Sequence, residues 1–147
     1  MLYELLAGGL PFSPTQLRER GYVELLRIIR EEEPMRPSTR LTTVGITANE
    51  VAERRRTKVP TLAQELRGDL DWITLKALEK DRAQRYATVS ELAADLARYL
   101  RSEPVIARPP SVRYRVRKFV RRNRLAVTAA SLVLVAILAG LAVSSVL

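Results

Sequence analysis

The sequence predicts an all-α fold that ends in a membrane-spanning helix. Apolar residues recur at helical spacing through the first hundred positions, and capping residues precede several of these runs. Residues 125–147 then form one uncharged stretch. The 147-residue chain has no cysteine and no histidine, which excludes a disulfide framework and the usual zinc ligands. We expect about four or five helices, a basic linker and one terminal helix.

The first long helix is predicted after the opening stretch LYELLAGGLPF. Ser13 suits the N-cap, and Pro14 suits the first helical position, where its missing N–H costs little. Leu17 and Leu25 lie on the apolar side of this helix. Pro34 ends it, because proline cannot continue a helix.

Residues 36–58 are interpreted as a surface insertion, with one short helix near positions 48–56. Pro, Ser, Thr and Gly separate sparse apolar positions there. The flanking charge runs are interpreted as solvated helix faces, since consecutive helical positions point in different directions. On this reading Glu31–Glu33 form no metal site, and Arg54–Arg56 form a solvated face in preference to a docking patch.

Two further helices are predicted between residues 66 and 100. The apolar residues of Leu70–Leu78 suit a mostly buried helix, with Trp72 as a bulky core or groove anchor. Thr88 and Glu91 fit a capping box that begins the second helix. The connection between the two helices contains Arg85 and other charged residues, and one of its arginines is a candidate ion-pair partner.

The positive charge is concentrated in one block. The chain carries a formal +9, and residues 108–124 hold eight Lys or Arg and no acidic residue, so removing those eight leaves +1. Residues 104–124 are therefore assigned to a basic juxtamembrane linker. Tyr114 and Phe119 among these cations also fit RNA or DNA binding. The adjoining apolar stretch favours lipid head groups, so no nucleic-acid partner is expected.

Residues 125–147 are predicted to cross a membrane once. As a helix they measure about 34 Å, against about 30 Å for the hydrocarbon core. A buried helix of a soluble protein is the alternative. Because Lys and Arg resist translocation, we expect an inner or plasma membrane location with the N-terminal side in the cytoplasm.

The phrases LYELLAGGLPF and LDWITLKALEKDRAQRYATVSELAADLARYL resemble the end of the C-lobe of bacterial eukaryotic-like serine/threonine protein kinases. The resemblance covers about residues 1–103 and extends to receptor-like members with a transmembrane helix. It implies ATP- and Mg²⁺-dependent phosphorylation of Ser or Thr for a complete kinase. It also places Arg85 where family members pair a buried arginine with the glutamate that closes the activation segment. Without that partner, we expect Arg85 to turn to solvent.

The chain itself lacks the catalytic motifs of a kinase. It contains no Gly-x-Gly-x-x-Gly loop, no His-Arg-Asp and no Asp-Phe-Gly, and Gly8–Gly9 suit a helix-ending turn. Local structural roles are predicted for four aspartates, at helix starts, in the connection and on an exposed helix face: Asp69, Asp71, Asp81 and Asp95. The sequence therefore assigns no catalytic, cofactor-binding or metal-binding residue to this chain and leaves its own enzymatic status open.

Two hypotheses follow from the sequence. In the first, the chain is the terminal part of a membrane-anchored serine/threonine kinase whose chemistry lies upstream. In the second, it is a tail-anchored, non-catalytic helical adaptor that binds a partner protein. Trp72 and the face around Leu17 and Leu25 are candidates for partner contact, with core packing as the alternative role. The sequence does not indicate the substrate, the activating signal or the oligomeric state.

Overall fold

The computed structural model describes residues 1–12, 21–43 and 45–146, without the side chains of residues 45–47, 136 and 138–146. Every regular element in these ranges is helical, which confirms the all-α prediction. The described part of residues 1–103 holds seven α-helices, more than predicted. The elements are α1 Leu2–Ala7, α2 Gly21–Glu31, α3 Pro37–Thr43, α4 Gly45–Arg54, α5 Val59–Leu66, α6 Asp69–Ala77, a 3₁₀ turn Arg82–Gln84, α7 Val89–Leu100, α8 Val112–Arg122 and α9 Arg124–Val146.

Helix α3 lies at the centre of the core. It contacts α1, α4, α5 and α6, and its Leu41 is almost completely buried. The cluster around it also contains Ala48 and Ala52 of α4, Leu62, Ala63 and Leu66 of α5, and Leu70 of α6. The interpretation of residues 36–58 as a surface insertion is therefore wrong. The reason is physical, since small alanine side chains let helices approach closely without producing a strong apolar pattern.

Helix α1 lies against this core through Tyr3 and Ala7, which are both buried. The Tyr3 hydroxyl donates to the main-chain carbonyl of Met35 at 2.8 Å. Gly8 ends the helix with φ +72°, and its N–H donates to the carbonyl of Glu4. A left-handed glycine is the standard way to end a helix, so the predicted helix-ending turn is confirmed.

Helix α6 is held to α3 by a buried carboxylate. Asp71 is 2% exposed and accepts hydrogen bonds from the main-chain N–H of Ser38 at 3.0 Å and from its hydroxyl at 2.7 Å. Because Ser38 lies in the first turn of α3, the carboxylate satisfies a main-chain donor that has no partner within the helix. The same helix buries Ile73 completely.

Helix α7 begins at the predicted capping residues. The Thr88 hydroxyl accepts from the Glu91 N–H at 3.2 Å, which confirms the N-cap. The Glu91 carboxylate in turn accepts from the N–H of Ala87 at 2.9 Å, one residue before the donor that a capping box normally uses. Helix α7 contacts α6.

The membrane prediction is contradicted. Among the residues that the structure describes, no helix combines the length and the apolar character that crossing a bilayer requires. This finding overturns the predicted span at 125–147 and the single-pass membrane location derived from it.

Candidate anion-binding groove

The carboxylate of Asp95 in α7 is the most buried ionisable group described, with 0% exposure. It accepts hydrogen bonds from the main-chain N–H of Ile106 at 2.7 Å and of Ala107 at 2.9 Å. The Tyr86 hydroxyl donates to it at 2.8 Å, and the Arg98 guanidinium lies 3.4 Å away. The prediction that Asp95 occupies an exposed helix face is therefore wrong, because the chain after α7 folds back over it.

These hydrogen bonds shift the pKa of the Asp95 carboxyl and the pKa of the Tyr86 hydroxyl that donates to it. Burial acts to raise the pKa of Asp95, but the N–H donors of Ile106 and Ala107, the Tyr86 hydroxyl and Arg98 outweigh it, and the pKa lies below its ordinary value. Burial and the bond to Asp95 raise the pKa of Tyr86. Asp95 is therefore an anion at neutral pH and Tyr86 remains a donor.

Residues 105–107, whose Ile106 and Ala107 N–H groups bond to Asp95, also position α8. The N–H of Val105 donates to the Tyr114 hydroxyl at 3.0 Å, and both residues are buried. Ser111 caps α8 by accepting from the N–H of Tyr114 at 3.2 Å. The basic block predicted as a linker is thus a folded helix in contact with the helical core.

A second buried carboxylate attaches α8 to α6. Asp69 lies at the first position of α6, where the helix dipole favours negative charge. The Lys118 ammonium is 2.7 Å from one of its oxygens, and the Arg108 guanidinium is 3.2 Å from the other. Gly68 precedes it with φ +108°, a conformation that other residues rarely adopt. No signal in the sequence distinguishes Lys118, which is buried, from its basic neighbours.

A groove of about 950 Å³ lies between α8 and the ends of α5 and α7, and we call it the basic groove. Six cationic and two anionic side chains line it, a net of four positive charges. The anions are Glu65 and Asp69. The cations are Arg67, Arg108, Arg113, Arg117, Lys118 and Arg121.

The arginines of α8 that face this groove lack counter-ions. Arg113, Arg117 and Arg121 are exposed, and none forms an ion pair within the described part of the chain. Of the other three groove cations, Arg108 and Lys118 are already paired with Asp69, and Arg67 is exposed without an ion pair in the described ranges. The groove therefore presents uncompensated positive charge, which favours an anionic ligand.

The predicted partner contacts that the structure describes, Trp72 and Leu25, lie outside the basic groove. Trp72 is partly buried beside a smaller cavity of about 380 Å³, with the Arg36 guanidinium 5.7 Å from its ring centroid. Leu25 is partly buried in α2. Leu17, Ser13 and Pro14 lie outside the described residues. Neither Trp72 nor Leu25 lines the basic groove.

The other charged candidates have local partners or face solvent. Glu31 and Glu32 lie 3.6 and 3.2 Å from the Arg27 guanidinium, so their contacts are ion pairs on the α2 surface. Arg54–Arg56 are exposed, as predicted for a solvated face, and Arg55 donates to the main-chain carbonyl of Leu5. Phe119 is 55% exposed on the side of α8 that does not line the groove.

Arg85 turns to solvent, as expected. Its guanidinium donates to the main-chain carbonyls of Glu79 and Lys80, and it forms no ion pair with any carboxylate in the described ranges. The Asp81 carboxylate accepts from the N–H of Ala83 at 2.9 Å and so begins the 3₁₀ turn that precedes Arg85.

No protein-family model, curated protein or solved structure matches this chain.

Proposed function

We propose that this chain is a non-catalytic helical module, the closing part of a serine/threonine protein kinase C-lobe, which functions by packing against the catalytic part of such a kinase. The proposal starts from the resemblance of residues 1–103 to that lobe. The observation that carries it is the state of Arg85, an exposed guanidinium bound only to main-chain carbonyls.

The surroundings of Arg85 suit an incoming carboxylate. A guanidinium forms its strongest contacts as a bidentate pair with a carboxylate, and carbonyl acceptors are a weaker substitute. The short 3₁₀ turn capped by Asp81 fixes the backbone just before Arg85. A glutamate supplied by another polypeptide segment can therefore take the place of the two carbonyls without rearranging the fold.

Exposed apolar side chains on the first two helices support the same proposal. Leu5 of α1 is 68% exposed, and Tyr22 and Val23 of α2 are 75% and 81% exposed. Single exposed apolar residues are common, but several on consecutive helices favour association with another surface. We assign this surface to contact with the rest of a kinase lobe.

ATP and Mg²⁺ then belong to the catalytic part. Phosphoryl transfer needs a glycine-rich loop, a phosphate-binding lysine, a catalytic aspartate and metal-binding Asp and Asn residues in defined motifs. The 147 residues contain none of these motifs. This chain's own role is to complete the substrate-side scaffold.

A phosphoryl-transfer assay tests the non-catalytic part of the proposal. The purified 147-residue chain is incubated with Mg²⁺, γ-³²P-labelled ATP and dephosphorylated casein, with an active serine/threonine kinase as the positive control. We expect no labelling of casein above the protein-free blank. Labelling of serine or threonine hydroxyls by the chain alone would contradict the proposal.

A self-sufficient adaptor is the second candidate, and one observation favours it. Within the described residues, every buried side-chain nitrogen or oxygen has a hydrogen-bond partner. A fold with this property needs no further segment to satisfy its interior. On this view the exposed faces of α1 and α2 bind a separate partner protein.

A further inference from the structure

We propose that the basic groove binds an extended peptide segment that carries phosphoserine or phosphothreonine. This inference concerns α8 and the ends of α5 and α7, and it does not depend on the proposed kinase origin. It rests on the spacing of the unpaired arginines, on the net charge of the groove and on its aliphatic lining.

The arginine spacing matches alternate residues of an extended peptide. Arg113, Arg117 and Arg121 recur every four residues on one face of α8, which places successive guanidinium groups about 6 Å apart along the axis. In an extended chain, residues i and i+2 lie about 6.6 Å apart and point the same way. Two phosphorylated residues separated by one position therefore meet two consecutive arginines.

The charge of such a ligand matches the groove. A phosphoserine or phosphothreonine carries about −1.5 to −2 at pH 7, so two of them offset the net charge of four on the lining. Like charges four residues apart also destabilise a helix. A bound dianion between Arg113 and Arg117 removes this repulsion, so we expect binding to stabilise α8.

The uncharged lining distinguishes a peptide from a nucleic acid. Leu100 is 80% exposed and Val116 is 54% exposed, and both line the groove, where they can receive an aliphatic side chain of a peptide. Base stacking needs a free aromatic face. Tyr114 has Arg108 at 4.4 Å and Lys118 at 5.8 Å from its ring centroid, and Lys118 also lies 5.7 Å from the Tyr99 ring. Cations thus already lie beside the groove's aromatic rings, and Tyr114 is buried.

Fluorescence anisotropy with the full 147-residue chain tests the proposal. The probe is a fluorescein-labelled peptide of eleven residues, roughly 36 Å when extended, with phosphothreonine at positions 5 and 7 and leucine at position 9. We expect it to bind at least about tenfold more tightly than the same peptide without phosphate. The double variant Arg113→Gln/Arg117→Gln should weaken binding by about 10- to 100-fold.

A charge-matched variant serves as the control. Arg30→Gln/Arg54→Gln removes the same two charges from exposed positions outside the groove and should change the affinity by less than about twofold. Thermal unfolding followed by circular dichroism confirms that each variant is folded. Arg121→Gln provides a second groove variant, for which we expect weakening in the same direction.

Three results would overturn the proposal. The first is equal weakening by the two double variants, which would show general attraction to a basic protein. The second is binding of an eleven-nucleotide oligothymidine as tight as that of the phosphopeptide, which would assign the groove to nucleic acid. The third is no difference between the phosphorylated and unphosphorylated peptides.

Discussion

Replacing Asp95 by alanine is expected to lower the free energy of unfolding by about 3–5 kcal/mol. The carboxylate is completely buried and accepts from two main-chain N–H groups, the Tyr86 hydroxyl and Arg98. Removing it leaves these partly buried donors without their shared acceptor, and each buried group left unsatisfied costs about 1–3 kcal/mol. Urea denaturation of the full chain at pH 7, followed by circular dichroism, measures the loss.

The matched control for this variant is Asp81→Ala. Asp81 is exposed and accepts from the Ala83 N–H at the start of the 3₁₀ turn and, at 3.5 Å, from the Gln84 side-chain amide, so we expect a loss of about 1 kcal/mol, typical of an N-cap. A loss for Asp95→Ala no larger than that for Asp81→Ala would show that the Asp95 cluster does not hold the segment after α7.

The pH dependence of the stability of Asp95→Ala provides a second measurement. Because the pKa of Asp95 is lowered in the folded state, its stabilisation is fully present above the unfolded-state pKa of about 3.9. It is lost as the pH falls through the lower, folded-state pKa. The stability difference between the natural chain and Asp95→Ala should therefore be constant from pH 7 to about pH 5 and shrink below about pH 4. A difference that does not change down to pH 2.5 would contradict the assignment.

Replacing Asp69 by alanine is expected to cost about 3 kcal/mol, because it leaves the Lys118 ammonium without its counter-ion. The side chain of Lys118 is 11% exposed and contacts Asp69 at 2.7 Å. The double variant Asp69→Ala/Lys118→Met should recover at least half of the loss, since a buried ion pair can often be replaced by apolar groups at little cost. Urea denaturation of the single and double variants measures both values.

Glu103→Ala is the control for this pair. The Glu103 carboxylate lies 3.7 Å from Arg101 and 4.0 Å from Arg122, and its side chain is 33% exposed. Partly exposed pairs of this kind contribute about 0–1 kcal/mol. If Asp69→Ala and Lys118→Met gave strictly additive losses, the two side chains would not be coupled and α8 would not be attached through them.

Local signals in the sequence predicted those features that depend on neighbouring residues. Gly8 ends α1, and Thr88 begins α7, because caps are satisfied within one turn. The start of α5 carried a similar signal in Pro60, which lies in its first turn. The insertion predicted over residues 36–58 ends just before this helix, so the apolar pattern does not predict α5.

Features that depend on contacts between residues far apart in the sequence could not be predicted from the spacing of apolar and charged residues. The donors to Asp95 come from Ile106 and Ala107, eleven and twelve residues further on, so burial of Asp95 depends on the path of the chain after α7. The charge count located the basic block but could not show that Lys118 would be buried against Asp69. The basic groove combines residues of four separate helices, and periodicity within one helix does not reveal such a combination.

The proposal that these helices belong to a larger kinase is tested most directly by sequencing the polypeptide from its source cells. An antibody against residues 66–100 recovers the protein, and tandem mass spectrometry of its peptides identifies what precedes Met1. We expect peptides joined in one chain to Met1 that contain His-Arg-Asp, Asp-Phe-Gly and a closing Ala-Pro-Glu, whose glutamate would pair with Arg85. A recovered polypeptide whose first residue is Met1 would contradict the proposal and leave the self-sufficient adaptor.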